Sequence, residues 1–231
     1  MVRLASIPLA PHRAAPRHRR KKRATSAFAT RLVVMVKEPV VGRVKTRLAR
    51  DIGAVRATSF YRSTCAAVLA RVQRPGAWRT ILGVTPDVAV TSPAWPFSIP
   101  RRAQGGGDLG RRMQRLMDAS PPGPVIVIGT DVPAIKPAHI HRAVKALGSH
   151  DAVVGPSPDG GYWLVGLKRR PRVPRAFASV EWSSSKALQQ TIDNLSGLAI
   201  ARIEQLADVD EARDLASVGS AKGRIILPAA S

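Results

Sequence analysis

The chain has 231 residues, of which 45% are apolar, enough to bury one α/β core without disulfide or metal staples. Its single cysteine excludes an intrachain disulfide framework and makes a reducing compartment, the cytoplasm, the expectation. With 37 basic against 15 acidic residues the net charge is +22, which favours polyanionic partners and says nothing about fold.

Residues 1–30 read as a basic, disordered tail, with a cation block at Arg17–Arg23 and Pro8, Pro11 and Pro16 opposing a helix. The tail lacks the apolar core of a secretory signal. Contact with nucleic acid through it is conceivable but not favoured, because no aromatic residue before Phe28 is available to stack on a base. No apolar run reaches the ~18 residues of a transmembrane helix.

From Arg31 the pattern alternates between strand and helix, and residues 31–218 read as one domain. Leu32–Val36 is a continuous apolar run, expected as a strand buried on both faces. Pro39 and Gly42 break it into a loop, and Arg43, Lys45 and Arg47 follow on the way into a helical pattern. A long helix is expected from about Val55 to Arg74, with Cys65 as a small core residue. Arg79–Val84 reads as a second strand, and Phe97–Ile99 as a short extended piece among prolines. Gln104–Gly110 opens a helix that carries Met113, Leu116 and Met117, with Asp108 near its N-terminus. Pro124–Gly129 is the clearest buried strand and ends in Thr130-Asp131-Val132-Pro133. A helix starts at Pro137, a favoured first-turn position. Asp151–Pro156 is a strand, Asp159-Gly160-Gly161 a turn, and the stretch to Leu167 a further strand. Ser183–Leu195 is expected helical, Leu198–Ile203 extended and Asp210–Ala216 a short helix. Residues 219–231 are a C-terminal tail or an edge strand at Arg224–Leu227. Such alternation predicts a three-layer α/β/α fold with a mostly parallel central sheet.

Four stretches carry candidate chemistry, all at element ends. In open α/β sheets ligands bind beyond the carboxyl ends of strands. A loop there with three cations suits phosphate, cradled by backbone N–H groups and lysine. That loop is neither G-x-x-x-x-G-K-[ST] nor G-x-G-x-x-G, and a basic surface loop is the competing reading. Asp131, just past a buried strand, suits Mg²⁺ or Mn²⁺, or caps the next turn. Asp159, Gly160, Gly161 and Tyr162 offer close backbone approach and hydroxyl-binding groups, although a hairpin turn alone explains the glycines. Asp208, Asp210 and Glu211 complete a metal site or cap a helix. His139 and His141 are two apart on a helix, so they point to different faces and are expected solvated. Taken in order, these features suit a nucleotide bound with a divalent ion across the sheet edge.

Residues from about 31 to 217 resemble the DUF2064 group, also called selenodomain-associated transferase 1, in the glycosyltransferase-A-like superfamily. The resemblance is carried by Met35–Leu48, Gln104–Met113, Gly129–Pro133, Gly155–Gly166, Trp182-Ser183-Ser184 and Asp208-Val209-Asp210. Glu38, Val41, Gly106 and Arg111 depart from that group's pattern. The resemblance implies a nucleotide-diphosphosugar-transferase fold and kinship with phospholactate and molybdenum-cofactor guanylyltransferases. It further implies that the basic loop binds a triphosphate and that the acid after the central strand binds metal. Lys37, Gly42, Arg43, Lys45, Arg47 and Asp131 are then nucleotide-binding, with Lys45, Arg43 and Asp131 catalytic. Asp131 and Asp210 would hold Mg²⁺ or Mn²⁺, and Asp108, Asp159, Gly160, Gly161 and Tyr162 would face the substrate. The expected activity is metal-dependent nucleotidyl transfer from an NTP to a small phosphorylated acceptor. The alternatives are glycosyl transfer from a nucleotide sugar and nucleic-acid binding through the basic tail.

Overall fold

A computed structural model describes residues 28–73, 76, 78–169 and 172–215. Residues 1–27 of the basic tail, and the C-terminal strand expected at Arg224–Leu227, lie outside the described residues.

The apolar run before the basic loop becomes β1, Thr30–Lys37. It lies inside a seven-stranded sheet because both of its faces are apolar. Leu32, Val34 and Val36 pack on one side, and Val33 on the other. Its parallel neighbours are β2 (Trp78–Thr85) and β4 (Val125–Ile128), with Val34 opposite both Leu82 and Ile128. The remaining strands are β3 (Arg101–Ala103), β5 (Ala152–Pro156), β6 (Tyr162–Leu167) and β7 (Ile200–Arg202). The order across the sheet is β3-β2-β1-β4-β6-β5-β7. Every pairing is parallel except those of β6, which runs against both β4 and β5. The reversal follows from the tight turn joining β5 to β6, which is too short for a crossover helix.

The helices are α1 (Thr46–Ile52), α2 (Ala54–Val72), α3 (Leu109–Asp118), α4 (Pro137–Ser149) and α5 (Ala187–Asp193). Cys65, Val68 and Leu69 of α2 and Ile140 and Leu147 of α4 share one core with Leu32 and Ile126. Met113, Leu116 and Met117 of α3 build the opposite core with Val33 and Val127, and Leu188 of α5 packs against it. The expected three layers are therefore present. No helix among the described residues is long and apolar enough to cross a membrane.

Several expected elements differ. Phe97–Ile99 is a turn, not a strand, and the extended segment is Arg101–Ala103. Arg101 decides this, donating to the carbonyls of Val90, Ser92 and Trp95 while its backbone sits opposite Leu82. The helix expected from Ser183 starts at Ala187, because Ser183 has φ 61, outside the right-handed helical region. The late acidic segment yields only a 3-10 turn, Ala212–Asp214. His139 is buried, its ring edge-on to Trp163 at 5.8 Å, rather than solvated. Burial and the nearby Arg142 hold its pKa below the usual histidine value.

Candidate active site

Beyond the carboxyl end of β1 the chain turns through Glu38–Lys45 into α1. Tyr61 of α2 anchors the start of this loop, its hydroxyl accepting from Lys37 N at 2.8 Å and donating to Lys37 O at 2.9 Å. Arg62, next on α2, donates to Pro39 O at 3.1 Å. Gly42 has φ 77, and a Cβ there would meet open space, so its role is to permit that backbone conformation. The loop ends at Lys45, which is itself left-handed at φ 47 and ψ 48.

That conformation carries the Lys45 side chain inward until it is only 5% exposed. Its Nζ lies 2.7 Å from Asp131 Oδ1 and 2.8 Å from Asp210 Oδ1. Both carboxylates remain open to solvent, at 47% and 41% exposure, while Arg47 stands 3.7 Å from Asp210 Oδ2. Burial is the largest single influence on Lys45 and lowers its pKa. The two carboxylates together outweigh it, and the net shift is upward. Lys45 is thus an ammonium at any physiological pH.

The two acids arrive from different parts of the chain. Asp131 follows β4, and its carbonyl accepts from Val209 N at 3.1 Å, which draws the late acidic segment onto the sheet edge. In that segment Asp214, not Asp210, does the capping: its Oδ2 accepts from the N–H groups of Asp210 and Glu211 at 2.9 and 2.8 Å. The Asp210 carboxylate is left aimed at Lys45.

Lys37, Arg43, Lys45, Arg47, Asp131 and Asp210 all line one cavity of about 370 Å³, with Tyr61, Gln104 and Thr130. A second cavity, of about 290 Å³, shares Met35, Leu109 and Asp131 with the first and adds Ser157, Tyr162 and Asp208. Burial, then Asp210, then Asp159 push the Asp208 carboxyl above the usual carboxylate range. Among the described residues no set of three or more His, Cys, Asp or Glu side chains is close enough to chelate a metal ion. A pair of carboxylates nevertheless suits Mg²⁺, which is commonly held by one or two carboxylates plus water and substrate phosphates. Asp131 and Asp210 supply that hard-oxygen pair.

The residues expected to face substrate have other partners. Asp108 caps α3, its Oδ1 accepting from Arg111 N at 2.8 Å. Asp159 Oδ1 accepts from Gly161 N at 2.9 Å, inside the β5–β6 turn. Gly160 has φ 84, and a Cβ there would collide with the Ser185 backbone. The close approach this glycine permits is therefore to the chain itself, and its carbonyl accepts from Leu188 N at 3.0 Å. Tyr162 lines the second cavity, and its hydroxyl accepts from Thr191 Oγ1 at 3.3 Å. Neither cavity is lined by Asp108, Asp159, Gly160 or Gly161.

Sequence reasoning missed Tyr61 and Gln104. Gln104 is buried and donates to Val36 O at 3.1 Å and Gly83 O at 2.8 Å, tying β1 and β2 together beneath the first cavity. Its place at the head of the Gln104–Met113 segment marked it, but with no role attached. Tyr61 reads as one more apolar residue of α2, and nothing in the pattern reveals its hydroxyl's partner.

Comparison with known proteins agrees with the fold. The family DUF2064, described as "Uncharacterized protein conserved in bacteria", matches residues 68–184, half of the chain. No match is found among the curated proteins. Among solved structures the chain is similar to a protein from Desulfovibrio desulfuricans G20, provisionally named a nucleotide-diphospho-sugar transferase. Identity is 26%, over 85% of this chain and 90% of that one, with a TM-score of 0.76. It shares its fold with Rv0371c from Mycobacterium tuberculosis H37Rv, at TM-score 0.53 and 15% identity over 84% and 98% of the two chains. It also shares it with 4-diphosphocytidyl-2C-methyl-D-erythritol synthase from Anaerococcus prevotii DSM 20548, at TM-score 0.54 and 10% identity over 83% and 96%. The chain belongs to the DUF2064 family and has the fold of the nucleotide-diphospho-sugar transferases.

Proposed function

We propose that the protein is a nucleotidyltransferase that uses a divalent cation, an NTP and a small phosphorylated acceptor. The observation that carries this reading is the convergence of Arg43, Lys45 and Arg47 with Asp131 and Asp210 around one cavity at the sheet edge. A bound Mg²⁺ or Mn²⁺ would neutralise phosphate oxygens, with Asp131 and Asp210 as its protein ligands. Rv0371c, which shares the fold, has also been solved in complex with manganese.

The chain's own side chains do the rest by position and charge. Arg43, Lys45 and Arg47 hold the triphosphate and stabilise charge that builds on it. An acceptor phosphate oxygen, already ionised at neutral pH, needs no general base. It forms a bond to the α-phosphorus as the bond to the bridging oxygen breaks, and pyrophosphate leaves with those electrons. Holding the two reactants in line lowers the barrier further. The second cavity, beside Asp131, is the space open to the acceptor.

Glycosyl transfer is the second reading, favoured by the likeness to the Desulfovibrio protein named for nucleotide-diphospho-sugar transfer. One screen separates the two. Thermal unfolding of the full chain is followed with each NTP and each nucleotide sugar, with and without Mg²⁺. A ligand at ~100 times its Kd stabilises by about 2.7 kcal/mol, a readily measured shift. Metal-dependent stabilisation by one NTP, lost in Lys45→Ala, together with pyrophosphate release, is the expected result. Stabilisation by a nucleotide sugar alone would replace nucleotidyl with glycosyl transfer, and no response to any nucleotide would refute both.

A further inference from the structure

The ammonium of Lys45 stands where the reaction needs a different cation. Its Nζ lies against one oxygen of Asp131 and one of Asp210, at 2.7 and 2.8 Å. Those oxygens are the hard donors that a divalent ion would take at ~2.0–2.1 Å. An ammonium and a divalent ion on the same oxygens repel at contact distance, so each weakens the other there.

Of the two arrangements, the lysine one stands without a further partner, and the metal one does not. With Lys45 in place the two carboxylates retain one net negative charge, part of which Arg47 offsets at 3.7 Å. A divalent ion arriving alone would cancel both carboxylates but expel an ammonium whose side chain is 95% buried. A buried charge stripped of its partner is strongly unfavourable. A phosphate changes this balance. Arg43, Lys45 and Arg47 face the same cavity, so an anion held there by the arginines lies within reach of the long, flexible lysine stem.

We propose that Lys45 is a latch on the cation site, filling the place between Asp131 and Asp210 in the free protein and giving it up only when phosphate accepts its ammonium. Metal and nucleotide then bind as a coupled pair, and each tightens the other by the same factor. The latch rests on the reading of Asp131 and Asp210 as metal ligands, and goes beyond it in making the lysine a competitor of the metal as well as a phosphate contact. In this role Lys45 sets the order of assembly, because the fully charged site forms only around the complete metal–nucleotide pair.

The test is a Mn²⁺ titration of the full chain without nucleotide, with free Mn²⁺ counted by electron paramagnetic resonance. Wild type, Lys45→Met, Asp131→Asn and the double variant are compared, with circular dichroism to establish folding. Lys45→Met keeps the apolar stem, removes the competing charge, and should bind Mn²⁺ at least tenfold more tightly than wild type. Asp131→Asn in that background should abolish the gain. Equal affinities for wild type and Lys45→Met, both weakened by Asp131→Asn, would overturn the latch and leave the metal site standing. Binding insensitive to Asp131 in every background would overturn the metal site and the latch together. A second measurement needs no variant. In ¹⁵N-labelled wild type the resonance of the buried Lys45 ammonium should survive Mg²⁺ alone and shift with Mg²⁺ and tripolyphosphate together. A shift with Mg²⁺ alone would refute the latch.

Discussion

Gly160→Ala separates two uses of the Asp-Gly-Gly turn. If the glycine exists to let backbone approach a ligand, alanine should weaken binding and leave stability alone. The structure gives the opposite expectation. Residue 160 sits at φ 84, where a non-glycine residue costs about 1–2 kcal/mol. Its Cβ would meet the Ser185 backbone, which cannot swing aside as a side-chain tip can. Relief of that contact moves the segment entering α5 and strains the Leu188 N to Gly160 O bond, at about 1 kcal/mol. The total is about 2–3 kcal/mol, or a fall in Tm of roughly 4–12 °C for a domain of this length. Gly161→Ala is the control. Its backbone is not left-handed, its Cβ would lie 3.1 Å from a movable Asp159 oxygen, and it should cost under ~1 kcal/mol. Urea unfolding of the three proteins reads the difference as a change in midpoint at constant slope. A Gly160→Ala protein as stable as wild type would refute the packing argument, and a binding defect in it would restore the ligand-approach role.

Two further outcomes follow from a half-buried carboxyl and a buried thiol. Asp208 has a carboxyl held above its usual range by burial, Asp210 and Asp159. Its raised folded-state pKa gives stability that is present below the unfolded value near 3.8 and lost as pH rises through the folded value. Asp208→Asn should therefore raise Tm at pH 7 and change it little at pH 3; a lower Tm at pH 7 would contradict the assigned repulsion. Cys65 is buried, and burial pushes its thiol up to about 12. A disulfide reagent at pH 8 should find almost no reactive thiol in the native chain and one after denaturation, whereas fast native labelling would contradict the burial of Cys65.

The alternation of apolar runs with helical spacing was enough to foresee the α/β layers, because each run matches an element that buries its own surface. Leu32–Val36 and Pro124–Gly129 read clearly because strands buried on both faces are continuously apolar. Residues near bends read poorly. Arg101 in a strand, and Ser183 outside a helix, depend on tertiary hydrogen bonds or on one positive φ, and neither has a local signature. The same holds in the site. The sequence marks Lys45, Asp131 and Asp210 as charges at element ends, and that much follows from local pattern. It also presents Asp159, Gly160 and Gly161 as ligand groups, yet their partners lie within the chain.

What the sequence determined alone is therefore the buried strands and the longer helices, their layering, and the loops that bear charge, since hydrophobic period and turn chemistry are local. The partners of those charges were decided by the tertiary structure. Lys45, Asp131 and Asp210 come from three separate stretches, and only the Val209–Asp131 backbone bond and the left-handed Lys45 bring ammonium and carboxylates together. Coulomb attraction depends on distance in space and not along the chain, so whether a basic loop meets phosphate, metal ligands or water is settled only once the sheet has aligned its strand ends.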